Sequence, residues 1–123
     1  MAKNINVLVL DDEAIVCERL KEFLEAKGIE VEAFTDSKKA ISRMEEKKFN
    51  VVVTDLKMSG PTGLDVLQFI RDKQPSAKGI LITAYGQLEQ FREAQILDAF
   101  KIVHKPFQMA DIYQLIKKAA KRT

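Results

Sequence analysis

The sequence INVLVLDD, residues 5–12, decides the fold of this chain because an apolar run ends abruptly in the carboxylates of Asp11 and Asp12. A continuous apolar run of this length is typical of a strand that is buried on both faces. A second run, VVVT at residues 51–54, ends in the same way at Asp55. One acid in such a place is ordinary, since Asp is a common helix N-cap. The repeated pattern predicts that both strands bring acids to one edge of a sheet.

Carboxylates that crowd the edge of a core repel one another and lose hydration, so they need a compensating partner. A hard cation such as Mg2+ prefers oxygen ligands and is the simplest such partner. The sequence therefore predicts a metal site at Asp11, Asp12 and Asp55. The competing interpretation is that these acids only cap strand ends and helices.

Strand and helix patterns alternate along the rest of the chain. Short apolar or alternating runs predict strands at residues 5–10, 29–34, 51–53, 80–82 and 102–103. Apolar residues at helical spacing predict helices at 13–27, from Asp36 or Ser37 to Met44, and at 64–70, 88–100 and 112–119. Alternation of this kind indicates a parallel sheet covered by helices on both faces.

Length and composition restrict the protein class. The 123 residues fit one domain, 1–123, and a net charge of +2 gives no reason to expect nucleic-acid binding. No apolar run approaches the roughly 20 residues that cross a bilayer, so we expect no membrane partner. The only cysteine, Cys17, lies in a helical pattern without a neighbouring base and is interpreted as a packing residue. A single Cys also fits a reducing compartment, and we expect a cytoplasmic protein.

The predicted strand ends carry the groups needed for phosphoryl transfer. Ligands of open parallel sheets bind at the carboxyl ends of the strands. Besides the acids, the fourth strand ends at Thr83 and the fifth at Lys105-Pro106. Carboxylates, a hydroxyl and an ammonium at one edge can position a phosphoryl group and neutralise its charge. An Asp can itself act as the nucleophile and form an acyl phosphate.

The chain resembles the receiver domain of two-component response regulators over essentially its whole length. The resemblance rests on LVLDDE at 8–13, VTDLKM at 53–58 with Gly63 following, LITA at 81–84 and KPF at 105–107. Each motif is short, but together their order and spacing are specific to the family. The resemblance implies a flavodoxin-like, doubly wound α/β fold with five helices and five parallel strands in the order 2-1-3-4-5.

The resemblance also implies roles for individual residues. Asp55 would accept the phosphoryl group from a sensor histidine kinase or a phosphotransfer protein. Asp12 would bind Mg2+ directly, Asp11 would assist through water, and Asp55 and the backbone carbonyl of Lys57 would complete the protein ligands. Thr83 would bind the phosphoryl oxygens and Lys105 would pair with them. A cis Lys105-Pro106 bond is expected to direct the lysine toward the site.

Other residues at family positions are expected to tune the switch. Lys57 and Tyr85 lie two residues beyond Asp55 and Thr83 and would influence hydrolysis, with the Tyr85 ring shielding the acyl phosphate. Ile102 stands where the family usually has an aromatic residue, so we expect signalling without an aromatic rotamer switch. Ser59 stands where many members have Pro, and we expect a less stiff loop there.

The function predicted is a signalling switch that phosphorylates itself with Mg2+, loses the group slowly and changes its binding to a downstream effector protein or domain. A pseudo-receiver that acts only as an interaction module is one alternative, supported by Ile102. A haloacid-dehalogenase-type phosphatase is another, but it needs a second Asp where this chain has Lys57. A flavin- or nucleotide-binding module would need an anion-binding loop in place of the acids after the first strand. The sequence leaves open the kinase, the stimulus, the output and whether the chain forms a homodimer.

Overall fold

Five parallel strands form one sheet, and their spatial order is the one that the resemblance implied, 2-1-3-4-5 in chain numbering. The computed structural model describes residues 4–84, 92 and 99–121. The strands are β1 (Asn6–Leu10), β2 (Glu30–Phe34), β3 (Val51–Asp55), β4 (Lys78–Thr83) and β5 (Lys101–His104). All five predicted strands are therefore confirmed, with ends that differ by one or two residues.

Four complete helices lie in the described part of the chain. They are α1 (Ala14–Ala26), α2 (Ser37–Glu46), α3 (Gly63–Lys73) and α4 (Met109–Ala120). Asp36 caps α2, because its side chain accepts hydrogen bonds from the backbone of the first turn. The helix predicted at 88–100 falls mostly outside the described residues. Its predicted end was wrong, since Phe100 is not helical and its N–H donates to the carbonyl of Gly79 at 2.8 Å.

Side chains of the sheet alternate between two apolar layers. Val7 and Val9 of β1 face the layer that packs with α1 and α4, whereas Leu8 and Leu10 face the layer that packs with α2. Both central strands are buried on both faces, which explains their unbroken apolar sequences. Among the described residues, no helix combines the length and apolarity that crossing a membrane requires.

Parallel pairing brings the carboxyl ends of the strands to one edge. Leu10 pairs with Thr54 across β1 and β3, and Asp55 pairs with Ile82 across β3 and β4. Four sets of residues therefore lie together at this edge: those that follow β1, those that end β3, those that end β4 and those that follow β5. The Lys105-Pro106 peptide bond is cis, as expected from the resemblance.

Candidate functional site

Three carboxylates converge at the carboxyl edge of the sheet. Oxygens of Asp11, Asp12 and Asp55 lie within 4.8 Å of one another. Asp11 and Asp55 are buried, with 1% and 7% of their surface exposed, whereas Asp12 is exposed. The acids that the sequence predicted as a group are thus brought together, with one of them open to solvent.

Lys105 supplies the positive charge of the site. Its Nζ atom lies 3.1 Å from Oδ2 of Asp55, 3.7 Å from Oδ2 of Asp11 and 3.8 Å from Oε1 of Glu13. Its backbone N–H donates to the carbonyl of Thr83 at 2.8 Å, which holds the lysine beside β4. Burial acts to lower the pKa of Lys105, but the hydrogen bond to Asp55 and the nearby carboxylates outweigh it and raise the pKa. The lysine therefore stays charged.

The two carboxylate oxygens of Asp11 differ in their hydrogen bonding. Its Oδ1 accepts a hydrogen bond from the N–H of Glu13 at 2.9 Å. Its Oδ2 is buried and has no hydrogen-bond partner among the described residues. Burial raises the pKa of the Asp11 carboxyl, and the charge of Asp55 adds to the rise, although the N–H of Glu13 acts against it. A buried oxygen without a donor, beside two further carboxylates, is what a hard cation would satisfy, so the residues present fit Mg2+.

Thr83 lies next to the acids on the neighbouring strand. Because Asp55 pairs with Ile82, Thr83 is one residue further along β4, where it is 2% exposed. Its hydroxyl donates to the carbonyl of Ala84 at 3.2 Å. The structure thus brings the predicted hydroxyl to the same edge as the acids and Lys105.

The residues predicted to tune the switch lie in different environments. Lys57 is exposed in the loop that follows β3. Tyr85 lies outside the described residues, so its shielding role stays a prediction. Ile102 is half-buried on β5 and packs against a small apolar cluster of Leu56, Leu67 and Leu81. Ile102 therefore belongs to an apolar cluster that includes Leu56, the residue directly after Asp55.

Two contacts near the acids were not predicted from the sequence. Glu13 is the third carboxylate around Lys105, and the only signal for it was its position beside the acidic pair. The Cys17 thiol donates to the carbonyl of Asp11 at 3.2 Å. Burial raises the pKa of this thiol, which agrees with its interpretation as a packing residue.

Gly63 allows α3 to start against the acidic edge. Its N–H donates to the carbonyl of Leu56 at 2.9 Å. A Cβ at this position would lie 2.4 Å from the carbonyl oxygen of Asp55 and 2.8 Å from Cδ1 of Leu81. No other residue type could enter without moving the backbone of Asp55.

Sequence comparisons agree with this geometry. The family model described as "Response regulator receiver domain" matches residues 7–117. The chain is 31% identical over 116 residues to the chemotaxis protein CheY of Thermotoga maritima, covering 94% of this chain and 97% of that protein. It is 28% identical over 120 residues to the transcriptional regulatory protein ZraR of Escherichia coli strain K12, covering 98% of this chain. The chain spans only about a quarter of the length of that regulator, 27%.

A comparison of structures leads to the same family. The crystal structure of a response regulator receiver domain protein from Clostridium thermocellum superposes with a TM-score of 0.90. The two sequences are 31% identical, and the match covers 96% of this chain and 95% of the other. With the acidic edge, the strand order and these matches in agreement, the chain belongs to the response regulator receiver domain family of two-component systems.

Proposed function

We propose that Asp55 accepts a phosphoryl group from a sensor histidine kinase or a phosphotransfer protein, and that Mg2+ supports the transfer. Receiver domains are signalling switches, and this reaction would set the switch. The observation that carries the proposal is the position of Asp55 between two further carboxylates and the ammonium of Lys105, 3.1 Å away. Among the acids that contact Lys105, Asp55 lies nearest to its Nζ atom, and it shares the carboxylate cluster with Asp11 and Asp12.

The transfer is a nucleophilic displacement at phosphorus. A carboxylate oxygen of Asp55 forms a bond to phosphorus while the bond from phosphorus to the imidazole nitrogen of the donor breaks. The product is an acyl phosphate, and the imidazole leaves with the electron pair of the broken bond. Lys105 would pair with the phosphoryl oxygens, and the Thr83 hydroxyl would donate a hydrogen bond to one of them.

The charge of the site explains why a cation is needed. Four carboxylates, those of Asp11, Asp12, Glu13 and Asp55, lie at this edge with the ammonium of Lys105, so acidic groups outnumber the lysine there. An incoming phosphoryl group is also negative and would be repelled. Asp11, Asp12, Asp55 and the carbonyl of Lys57 would hold Mg2+, which when bound would neutralise charge on the phosphoryl oxygens.

The wider role follows from the switch. Residues 1–123 would act as one receiver domain in the cytoplasm that phosphorylates itself and slowly loses the phosphoryl group. The phosphorylated state would differ from the free state in its affinity for a downstream effector protein or domain, or for a second copy of the chain. We do not expect direct binding to nucleic acid or to a membrane, given the small net charge of +2 and the sequence pattern.

The test uses a small acyl phosphate as the donor. Purified protein is incubated with acetyl phosphate and Mg2+, and the intact mass is followed with time. We expect addition of one phosphoryl group to the wild type, no addition in EDTA and none to Asp55→Asn. Asp72→Asn, which changes an exposed acid of α3, is the matched control and should be modified like the wild type. Equal modification of Asp55→Asn and the wild type would refute the assignment.

A further inference from the structure

Ser37 is a buried polar residue with no part in the proposed chemistry. It is the first residue of α2 and has 0% of its surface exposed. Buried hydroxyl groups need hydrogen-bond partners, and that of Ser37 donates to the carbonyl oxygen of Ser59 at 3.3 Å. Ser59 lies in the loop that leads from Asp55 to α3. The hydroxyl therefore joins a helix on one face of the sheet to the loop beside the phosphoryl acceptor.

The two ends of this loop are held by other contacts. At its start, the N–H of Leu56 donates to the carbonyl of Ile82 at 2.9 Å. At its end, Thr62 and Asp65 form a reciprocal capping box on α3. Between them, the bond from Ser37 is the only hydrogen bond that joins residues 57–61 to another element within the described part of the chain. Hydrogen bonding between the middle of the loop and other described elements thus depends on one hydroxyl.

The start of α2 also packs closely beneath this loop. Gly60 has a φ of +80°, a conformation that glycine adopts without strain. A Cβ on Gly60 would lie 3.8 Å from both Oγ of Ser37 and Cε of Lys38. Met58 packs against the apolar layer that contains Ala40 of α2. The loop rests on α2, and Ser37 lies at the point of contact.

We propose that Ser37 is a positioning residue that holds the Ser59 carbonyl and so fixes the loop that presents the Lys57 carbonyl to the metal. The inference rests on the proposed function, because it assumes a Mg2+ site at Asp11, Asp12 and Asp55. Only the φ and ψ torsions of residues 58 and 59 separate the Lys57 carbonyl from the Ser59 carbonyl, so a held Ser59 carbonyl shortens the part of the loop that is free to turn.

The first test compares Mg2+ affinity in three variants by isothermal titration of the metal-free chain. Ser37→Ala removes the hydroxyl, and Ser37→Cys replaces it with a slightly larger thiol, which fills the site but is a weak donor. Ser42→Ala, on the exposed side of the same helix, is the matched control. We expect Ser37→Ala to weaken Mg2+ binding about three- to tenfold, the range of one neutral hydrogen bond, with Ser37→Cys also weaker than the wild type. Ser42→Ala should bind like the wild type.

The second test measures the loop without metal. Backbone amide NMR relaxation should show larger-amplitude motion at residues 57–60 in Ser37→Ala, while the amides of α3 keep their wild-type order. Increased loop motion together with unchanged Mg2+ affinity would refute the positioning role. Wild-type affinity in Ser37→Cys but not in Ser37→Ala would show that packing matters and the hydrogen bond does not, which also refutes it. If the wild type itself fails to bind Mg2+, the proposed function is wrong and this inference falls with it.

Discussion

Asp11 shows how far a residue can be understood from sequence alone. The repeated strand-end acid predicted that Asp11 and Asp55 would meet, and they do. The sequence could not show that Oδ2 of Asp11 would be buried without a donor, because that depends on how β1, β3 and the lysine after β5 are placed relative to one another. The role of Glu13 beside Lys105 was missed for the same reason.

Asp11→Asn should stabilise the metal-free protein at neutral pH by about 1 kcal/mol, the scale of one buried polar atom without a hydrogen-bond partner. The folded state raises the pKa of Asp11, chiefly through burial, so the unfolded chain loses this proton at lower pH. The wild type therefore loses stability as the pH rises above about 4, where the unfolded carboxyl ionises, up to the raised pKa of the folded state. Urea unfolding in EDTA between pH 4 and pH 8 measures this difference.

The same substitution should remove most of the stabilisation that Mg2+ gives. A ligand that binds only the folded state raises its stability, so loss of a ligand group reduces that gain. Asp72→Asn is the control, because this exposed acid lies near the end of α3 and is not one of the carboxylates of the site. A variant Asp11→Asn that is less stable than the wild type in EDTA at pH 7 would contradict this account of the site.

At the scale of the elements, the type and order of strands and helices were predictable, but their ends were not. β4 starts two residues earlier than its apolar run because the N–H of Lys78 donates to the carbonyl of Asn50. β5 includes the polar residues Lys101 and His104, which pair with Ile80 and Thr83 of β4. Hydrogen bonds to a neighbouring strand set these ends, and the local sequence pattern does not reveal such hydrogen bonds.

Gly63→Ala should destabilise the protein by about 2 kcal/mol, because the new methyl group would overlap the Asp55 carbonyl and Leu81. Gly28→Ala is the comparison. Gly28 has a φ of +85° but open space around it, so that variant should lose only about 1 kcal/mol through backbone strain. Chemical denaturation of both variants measures the two losses. An equal or smaller loss for Gly63→Ala would show that the start of α3 is not tightly packed on Asp55.

The contact between β2 and α2 makes a prediction about pH. Arg43 bonds Glu32 with two nitrogens, at 2.7 and 3.2 Å, and Lys47 adds a third contact at 3.0 Å. The hydrogen bond from Arg43 is the main reason that the pKa of Glu32 is lowered. This ion pair therefore contributes stability above about pH 4.3, the unfolded value for Glu, and loses it as the pH falls through the lower folded value.

Glu32→Gln should accordingly cost about 0.5–1 kcal/mol at pH 7 and almost nothing at pH 2.5. Glu30→Gln, an exposed acid on the same strand, should cost little at either pH. Thermal or urea unfolding at the two pH values gives the comparison. A loss that is the same at both pH values would mean that the charge of Glu32 is not what stabilises this contact.

At the scale of the whole molecule, the alternation of elements predicted a parallel α/β sheet, and the resemblance supplied its strand order. How phosphorylation would change the partner-binding surface was less predictable from the sequence than the fold. Ile102 packs into the cluster of Leu56, Leu67 and Leu81, and its β-branched side chain has no ring to rotate between a buried and an exposed position. Signalling without an aromatic rotamer switch stays a prediction, because residues 88–100, which were predicted as a helix, lie mostly outside the described part of the chain.

The central claim is that the phosphoryl group is carried by Asp55, and trapping the acyl phosphate tests it most directly. The protein is treated with acetyl phosphate and Mg2+, then reduced with borohydride, which converts a phosphorylated Asp into homoserine. Peptide mass mapping locates the change without any substitution in the site. The account predicts homoserine at position 55 only, and only when Mg2+ is present. Homoserine at position 11 or 12, or none under conditions that saturate the metal site, would contradict it.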